Sequence, residues 1–251
     1  MSLYALPLKE AAIEPLAPAA FLSGVKGYNR DSARDFLRAH PGFLGRNLQL
    51  ETARELAAAA EQAGFETMLV PETDLPLPPP CLETDRIEPK GSGFNARAAG
   101  ALTFIPYDSI IIFSAAAFDA PAVADSIPAL KPGLIEKLAL LAGAPPMPAP
   151  TAHKETFFRA DIIGGEERLR LLLKPENLDF SPLGPARSPS SLANFRALLG
   201  LLAAPAFNAV KNRFLQALIA AQPLTNLKVA SPEAADLELS RLLLLSNRRP
   251  E

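Results

Sequence analysis

The sequence predicts an α+β protein: a small α/β unit, then a seven-stranded barrel with helices added at the C-terminal end. Three observations carry this expectation. An alanine-rich helical pattern, "LETARELAAAAEQAG" (50–64), sits between two extended apolar runs. Proline then crowds residues 72–81, "ETDLPLPPPC", and the texture of the chain changes there. Beyond it come seven short β-type runs and an amphipathic helix.

Residues 1–18 read as an N-terminal extension, and the α/β unit spans 19–72. "AAFLSGVKGY" (19–28) reads as a strand. Asn29 is placed to cap a helix over 30–40, which Pro41-Gly42 ends. "GFLGRNL" is extended. The 50–64 helix ends with Gly64 at the position a C′ glycine takes. "FETMLVP" (65–71) is a strand. Residues 73–81 read as a stiff, polyproline-type linker holding two modules apart. "PLPPP" also has the spacing of a ligand for an aromatic groove, but proline is abundant throughout the chain.

The barrel is expected over 82–204. Its strands are 82–88, 93–97, 101–105, 108–116, 155–163, 166–173 and 177–181. "GSG" (91–93) and "IIGGEE" (162–167) are hairpin turns. An insert over 117–154 holds one helix, 133–143. The sequence "SPSSLANFRALLGLLA" (188–203) lines up Leu192, Phe195, Leu198, Leu199 and Leu202 as one apolar stripe. Residues 205–251 form a helical extension. It contains a helix over 206–221 with Phe207, Val210, Phe214 and Leu218 on one side, and a second helix that Ser231 caps with Pro232 at its first position.

Composition narrows the function classes. The chain has 251 residues, 49% apolar and 21% charged, so it can build a core. Its 26 prolines are about twice the usual share. A net charge of −2 argues against nucleic-acid binding. The single cysteine, Cys81, precludes an intramolecular disulfide and suits a reducing compartment. No basic start with an apolar core and no long uncharged apolar run is present, so the expectation is a soluble cytoplasmic protein without a membrane span.

Residues Ala33, Asp35, Pro41, Leu44, Ala53, Leu56, Glu61, Ala63 and Gly64 carry a resemblance over 33–70. This segment resembles the second half of the C-terminal domain of the bacterial ribosomal stalk protein, a fold also found in the adaptor of the Clp protease. The family's first helix has no counterpart in the sequence pattern. The family's Gly-Leu-Gly-Leu-Lys-Glu partner-binding stretch would fall on "GYNRDS" (27–32), so translation-factor binding is not carried over. Residues 82–203 resemble a bacterial pleckstrin-homology-like domain in strand count and in "IPYDSIII". In that likeness Lys90 and Arg97 flank the first hairpin, where lipid-binding relatives place phosphate ligands. The short "GSG" loop and the acidic strand before it argue against phosphoinositide binding.

The chemical inventory is thin. Gly-rich phosphate loops, G-x-S-x-G and H-E-x-x-H are absent. His40, Cys81 and His153 lack ligand spacing, so neither a metal nor another cofactor is expected. Glu83, Asp85 and Glu88 alternate along one strand and read as a solvated face, with Leu82, Thr84 and Ile87 as inward positions. Arg168 and Arg170 read as exposed in the same way. The expected function is therefore a non-enzymatic protein-interaction or adaptor module. The alternative is an enzyme whose Asp, Glu and Arg site assembles only in three dimensions. The expected contact surface is Leu237, Leu239, Leu242 and Leu244, because "LELSRLLLLSN" is apolar around nearly its whole circumference and calls for a protein partner or a second copy.

Overall fold

A computed structural model of the chain describes residues 2–25, 27–121, 154–165 and 167–247. The N-terminal residues are not an extension. Tyr4–Pro7 forms β1, and Ala5 and Leu6 are wholly buried. β1 is the central strand of a three-stranded antiparallel sheet, between β2 (Phe43–Leu48) and β3 (Val70–Pro71). The run read as a strand over 19–28 lies largely in a helix, α1 (Leu16–Val25). Its buried residues Pro18, Ala19 and Leu22 follow helical spacing, and Pro18 sits in the first turn, where a missing N–H costs nothing. α1 is thus a helix ahead of α2, at a place where the sequence pattern offered none.

α2 (Arg30–Ala39) starts as expected: the Asn29 side chain accepts from the Ser32 N–H at 2.7 Å. α3 (Leu50–Gln62) buries Ala53, Leu56 and Ala60, and Gly64 follows it at φ +83°. Leu6, Leu22, Leu37, Leu44 and Leu56 make one core between the three helices and this sheet. Of the expected 65–71 strand only Val70–Pro71 pairs as a strand, with a single bridge from Thr67 to Leu8.

A second sheet has seven strands, but it does not close. With β4 (Cys81–Pro89), β5 (Gly93–Ala98), β6 (Ala101–Pro106), β7 (Ile112–Pro121), β8 (Lys154–Gly164), β9 (Leu169–Leu173) and β10 (Val210–Lys211), the order is β10-β7-β8-β9-β4-β5-β6. β10 and β6 are its two ends, so the expected barrel is corrected to an open sheet. It is also mixed: β4 runs parallel to β9, and β10 runs parallel to β7. The run at 177–181 reaches β4 only through an isolated Arg86–Asp179 bridge and then turns, so it is no strand. The seventh strand is Val210–Lys211, within the run 206–221 that the sequence predicts as helix. Asn212 explains the difference. Its side chain accepts from the Leu215 N–H at 3.1 Å and starts the helix there instead.

α4 (Ser191–Ala203) sets Phe195, Leu198, Leu199 and Leu202 into the main core of this sheet, as the apolar stripe predicts, with Ser190 as its cap. α5 (Arg213–Ile219) adds Phe214, Leu215 and Leu218 to the same core. Phe207, expected on the apolar side, is instead 76% exposed. α6 (Pro232–Ser246) is capped by Ser231 as expected.

α6 overturns the separation into two modules at 73–81. Its Leu239, Leu242 and Leu243 pack on Ile112, Ile163 and Val210 of the seven-stranded sheet. Its Leu244 packs on Met68 and Val70 of the N-terminal region. Met1–Phe118 and Phe158–Glu251 accordingly form one compact unit. The proline stretch is held against this unit rather than hung between modules. Leu75 joins the Met68 cluster, and Arg170 Nη1 donates to the Pro79 carbonyl at 3.4 Å. A second unit is Asp119–Phe157, in which Thr156 Oγ1 donates to Asp119 Oδ1 at 2.7 Å. The expected helix at 133–143 and most of the insert lie outside the described residues.

Glu72 anchors the start of the proline stretch. Arg46 Nε donates to both its oxygens, at 2.8 and 2.9 Å, and the Asn47 N–H donates at 2.6 Å. Burial alone would raise the Glu72 carboxyl, but the Arg46 hydrogen bonds and the Asn47 N–H outweigh it and hold the pKa below its ordinary value. A lowered folded-state pKa gives stability that is complete above the unfolded carboxylate value and is lost as pH falls through the folded one. Glu72→Gln should therefore cost about 1–3 kcal/mol at neutral pH and progressively less as pH falls below about 4, where the wild type loses the same contribution. Urea denaturation at several pH values measures this. A pH-independent difference would contradict it.

Candidate functional site

Between the N-terminal region and the strands and helices that follow it lies a cleft of about 380 Å³. Leu8, Ile13, Leu16 and Leu37 line it from the N-terminal region. Ala115, Phe214, Leu227 and Val229 line it from β7, α5 and the loop before α6. Arg34, Asp35 and Arg38 of α2, all exposed, stand at its mouth, and Leu16 is 44% exposed there. α2 is tied across the cleft near its C-terminal end, where the Arg38 carbonyl accepts from the Ala230 N–H at 2.8 Å.

Charged groups reach the cleft from its buried side, and each is already engaged within the chain. Arg241 of α6 has no exposed surface. Its Nε and Nη2 donate to the two oxygens of Glu238 at 3.0 and 2.9 Å. Nη1 donates to the carbonyls of Leu8 and Glu10, and Nη2 to that of Ala11, at 2.6–3.0 Å. The planar five-donor fork suits this arrangement, in which one side chain ties α6 to the segment after β1. Gly42 makes room for it. An added Cβ would lie 2.1 Å from Arg241 Nε, and the backbone there has φ +77°.

Asp161 of β8 also lines the cleft, 1% exposed. Arg170 Nε donates to its Oδ1 at 2.8 Å, and Arg159 Nε lies 3.0 Å from its Oδ2. The same two arginines donate through Nη2 to Asp236 Oδ1, each at 2.6 Å. Two carboxyl groups and two guanidiniums thus form a quartet joining β8, β9 and α6, in which Arg159, Asp161 and Arg170 are buried and the Asp236 side chain is 44% exposed. Burial pushes the Asp161 carboxyl up, with the two guanidiniums pulling it back. For Asp236 burial also raises, but Arg159 and Arg170 prevail and hold it below its ordinary value. Asn212 is engaged as well, donating to the Ala115 carbonyl at 2.9 Å and accepting from the Ala115 N–H at 3.1 Å.

The residues singled out from the sequence fall elsewhere or in other roles. Leu239, Leu242 and Leu244 are buried in the chain's own core, and Leu237 is half-buried. The expected contact surface is corrected accordingly: the apolar circumference of α6 is covered by both sheets. Arg170, expected in solvent, is buried within this quartet, while Arg168 sits in the turn before β9 at φ +52°. The acidic alternation of β4 is a paired, partly exposed face. Asp85 binds Arg97 at 2.7 Å, Glu88 binds Arg86 at 2.8 Å and Lys90 at 3.8 Å, and Glu83 binds Lys174 and Asn177. Thr84 and Ile87 are inward as expected, but Leu82 is 40% exposed. A register shift between Thr84 and Arg86 reconciles two inward residues three positions apart. His40 Nδ1 lies 3.0 Å from the Phe36 carbonyl at the end of α2, and Cys81 is exposed. His153 lies outside the described residues.

Among the described residues, no cluster of three His, Cys, Asp or Glu is placed to hold a metal ion. None of the helices described is long and apolar enough to cross a membrane. No family model, curated protein or solved structure matches the chain.

Proposed function

We propose that the chain is a non-enzymatic protein-interaction module, and that the cleft beside α2 seats an apolar anchor residue from an extended segment of a protein partner. One observation carries this reading. The cleft offers apolar walls of side-chain size, while the charged groups beneath them are consumed by bonds within the chain. Apolar enclosure with few free polar groups favours burying an anchor side chain. Acid–base chemistry needs a group whose lone pairs or protons reach a substrate. Asp161, Glu238 and Arg241 have theirs committed, so the enzyme reading is the weaker one.

The resemblance to the stalk-protein and Clp-adaptor fold supports the same class by analogy alone. The pairing of α1 with α2 ahead of β2 adds a helix that the resemblance requires. The contact surface proposed here is the cleft, not the family's Gly-Leu-Gly-Leu-Lys-Glu stretch.

Peptides selected on the full chain from a random displayed library should bind through the cleft. Leu16→Asp places a charge at its mouth on a residue already 44% exposed, so the fold should stand. Selected peptides should lose at least about tenfold in affinity, roughly 1.4 kcal/mol, to this variant. Peptides that bind wild type and variant equally would sink the proposal.

A further inference from the structure

Among the described residues, β6 is an open edge of the seven-stranded sheet, and its residues lack the devices that keep such edges apart. From Ala98 to Pro106 there is no charged residue. Its ladder with β5 is regular from Ala101 to Pro106, without a bulge. Leu102 is 63% exposed and Phe104 is 47% exposed, two positions apart on one face. Solvent-facing edges ordinarily carry a lysine, a bulge or an interior proline.

The hydrogen-bond parity of the edge follows from its neighbours. The Lys90 N–H donates to the Gly93 carbonyl at 2.8 Å, so the Gly93 carbonyl faces β4. The Tyr107 N–H donates to the Ser92 carbonyl at 3.1 Å, so that carbonyl faces the β6 side. Alternation along β5 then aims Phe94, Ala96 and Ala98 at β6, opposite Ile105, Thr103 and Ala101. The backbone groups of Leu102 and Phe104 point outward, away from the sheet. The two-residue turn Ala99-Gly100, with φ +49° and +80°, fits the same parity, since it closes on a hydrogen-bonded Ala98–Ala101 pair.

We propose that β6 pairs with β6 of a second copy of this chain, antiparallel about a two-fold axis at Thr103. Leu102 of each copy then lies opposite Phe104 of the other, and the outward N–H and C=O groups of both residues exchange four hydrogen bonds. The same register gathers two leucines and two phenylalanines on one face. Ala101 meets Ile105, so no charge meets another. Pro106, which has no N–H, ends the ladder where it falls opposite the Gly100 turn. The self-complementarity of "ALTFI" about its central residue selects a second copy over a different partner. This proposal is independent of the cleft.

The register makes Thr103 face its own counterpart as a non-hydrogen-bonded pair, with Cα atoms about 4.5 Å apart, within disulfide reach. The test is the full chain carrying Thr103→Cys with Cys81→Ser, oxidised at tens of micromolar, beside sedimentation of the wild type. A covalent dimer and a wild-type dimer are expected. Both should be lost when Leu102→Lys is added, with the far-ultraviolet circular dichroism unchanged. A monomeric wild type, no cross-link, or a dimer that Leu102→Lys leaves intact would each overturn the proposal.

Discussion

Arg241→Ala should lower the stability of the chain by about 3–5 kcal/mol, the cost of breaking a buried ion pair from one side. The Glu238 carboxylate would remain with its side chain only 12% exposed, and the carbonyls of Leu8, Glu10 and Ala11 would lose their donor. A domain of ordinary stability has only about 5–15 kcal/mol in total, so the variant should be marginal. Arg241→Lys should recover little, because a point ammonium does not span a carboxylate and three carbonyls at once. The double variant Arg241→Met/Glu238→Met should be more stable than Arg241→Met alone, because it removes the stranded carboxylate. Chemical denaturation of the wild type and these four variants measures all of this. A loss under about 1 kcal/mol for Arg241→Ala would mean that the clamp between α6 and the N-terminal region is not made.

Leu244→Asp should be comparably severe, about 3–5 kcal/mol or no folded protein, since it removes a buried leucine and buries a carboxylate in its place. Leu244 is 9% exposed and touches the cluster of Met68 and Val70. Leu237→Asp, on the half-buried side of the same helix, should cost less than half as much. The contrast separates a core helix from an interface helix. Were α6 a docking surface, Leu244→Asp would leave the fold intact and abolish association instead.

Self-contained local signals agree with the structure. Asn29 and Ser231 as caps, Gly64 past α3 and the apolar stripe of α4 all rest on a few neighbouring residues, and each holds. The misreadings share a physical origin: their outcome is set by partners far along the chain. "AAFLSGVKGY" reads locally as a strand, and helix wins because Ala19 and Leu22 complete a core with Leu6 and Leu56. Val210–Lys211 is a strand because the Val210 N–H meets the Ile111 carbonyl some hundred residues earlier. The density of leucine in α6 signalled burial on all sides, but not that two sheets of the same chain supply it. The cleft was beyond sequence reasoning, since its lining comes from segments scattered between Leu8 and Arg241. The one usable signal was Arg241 itself, an arginine inside an otherwise leucine-rich helix, where a charge implies a dedicated partner.

The claim that a protein partner sits in the cleft is tested most directly by hydrogen exchange of the full chain with and without a selected peptide. Peptide binding should slow exchange in 31–38 of α2 and in 225–229, the segments that frame the mouth, and leave 237–245 unchanged because α6 is already core. Protection confined to 237–245, or absent from both mouth segments, would contradict it.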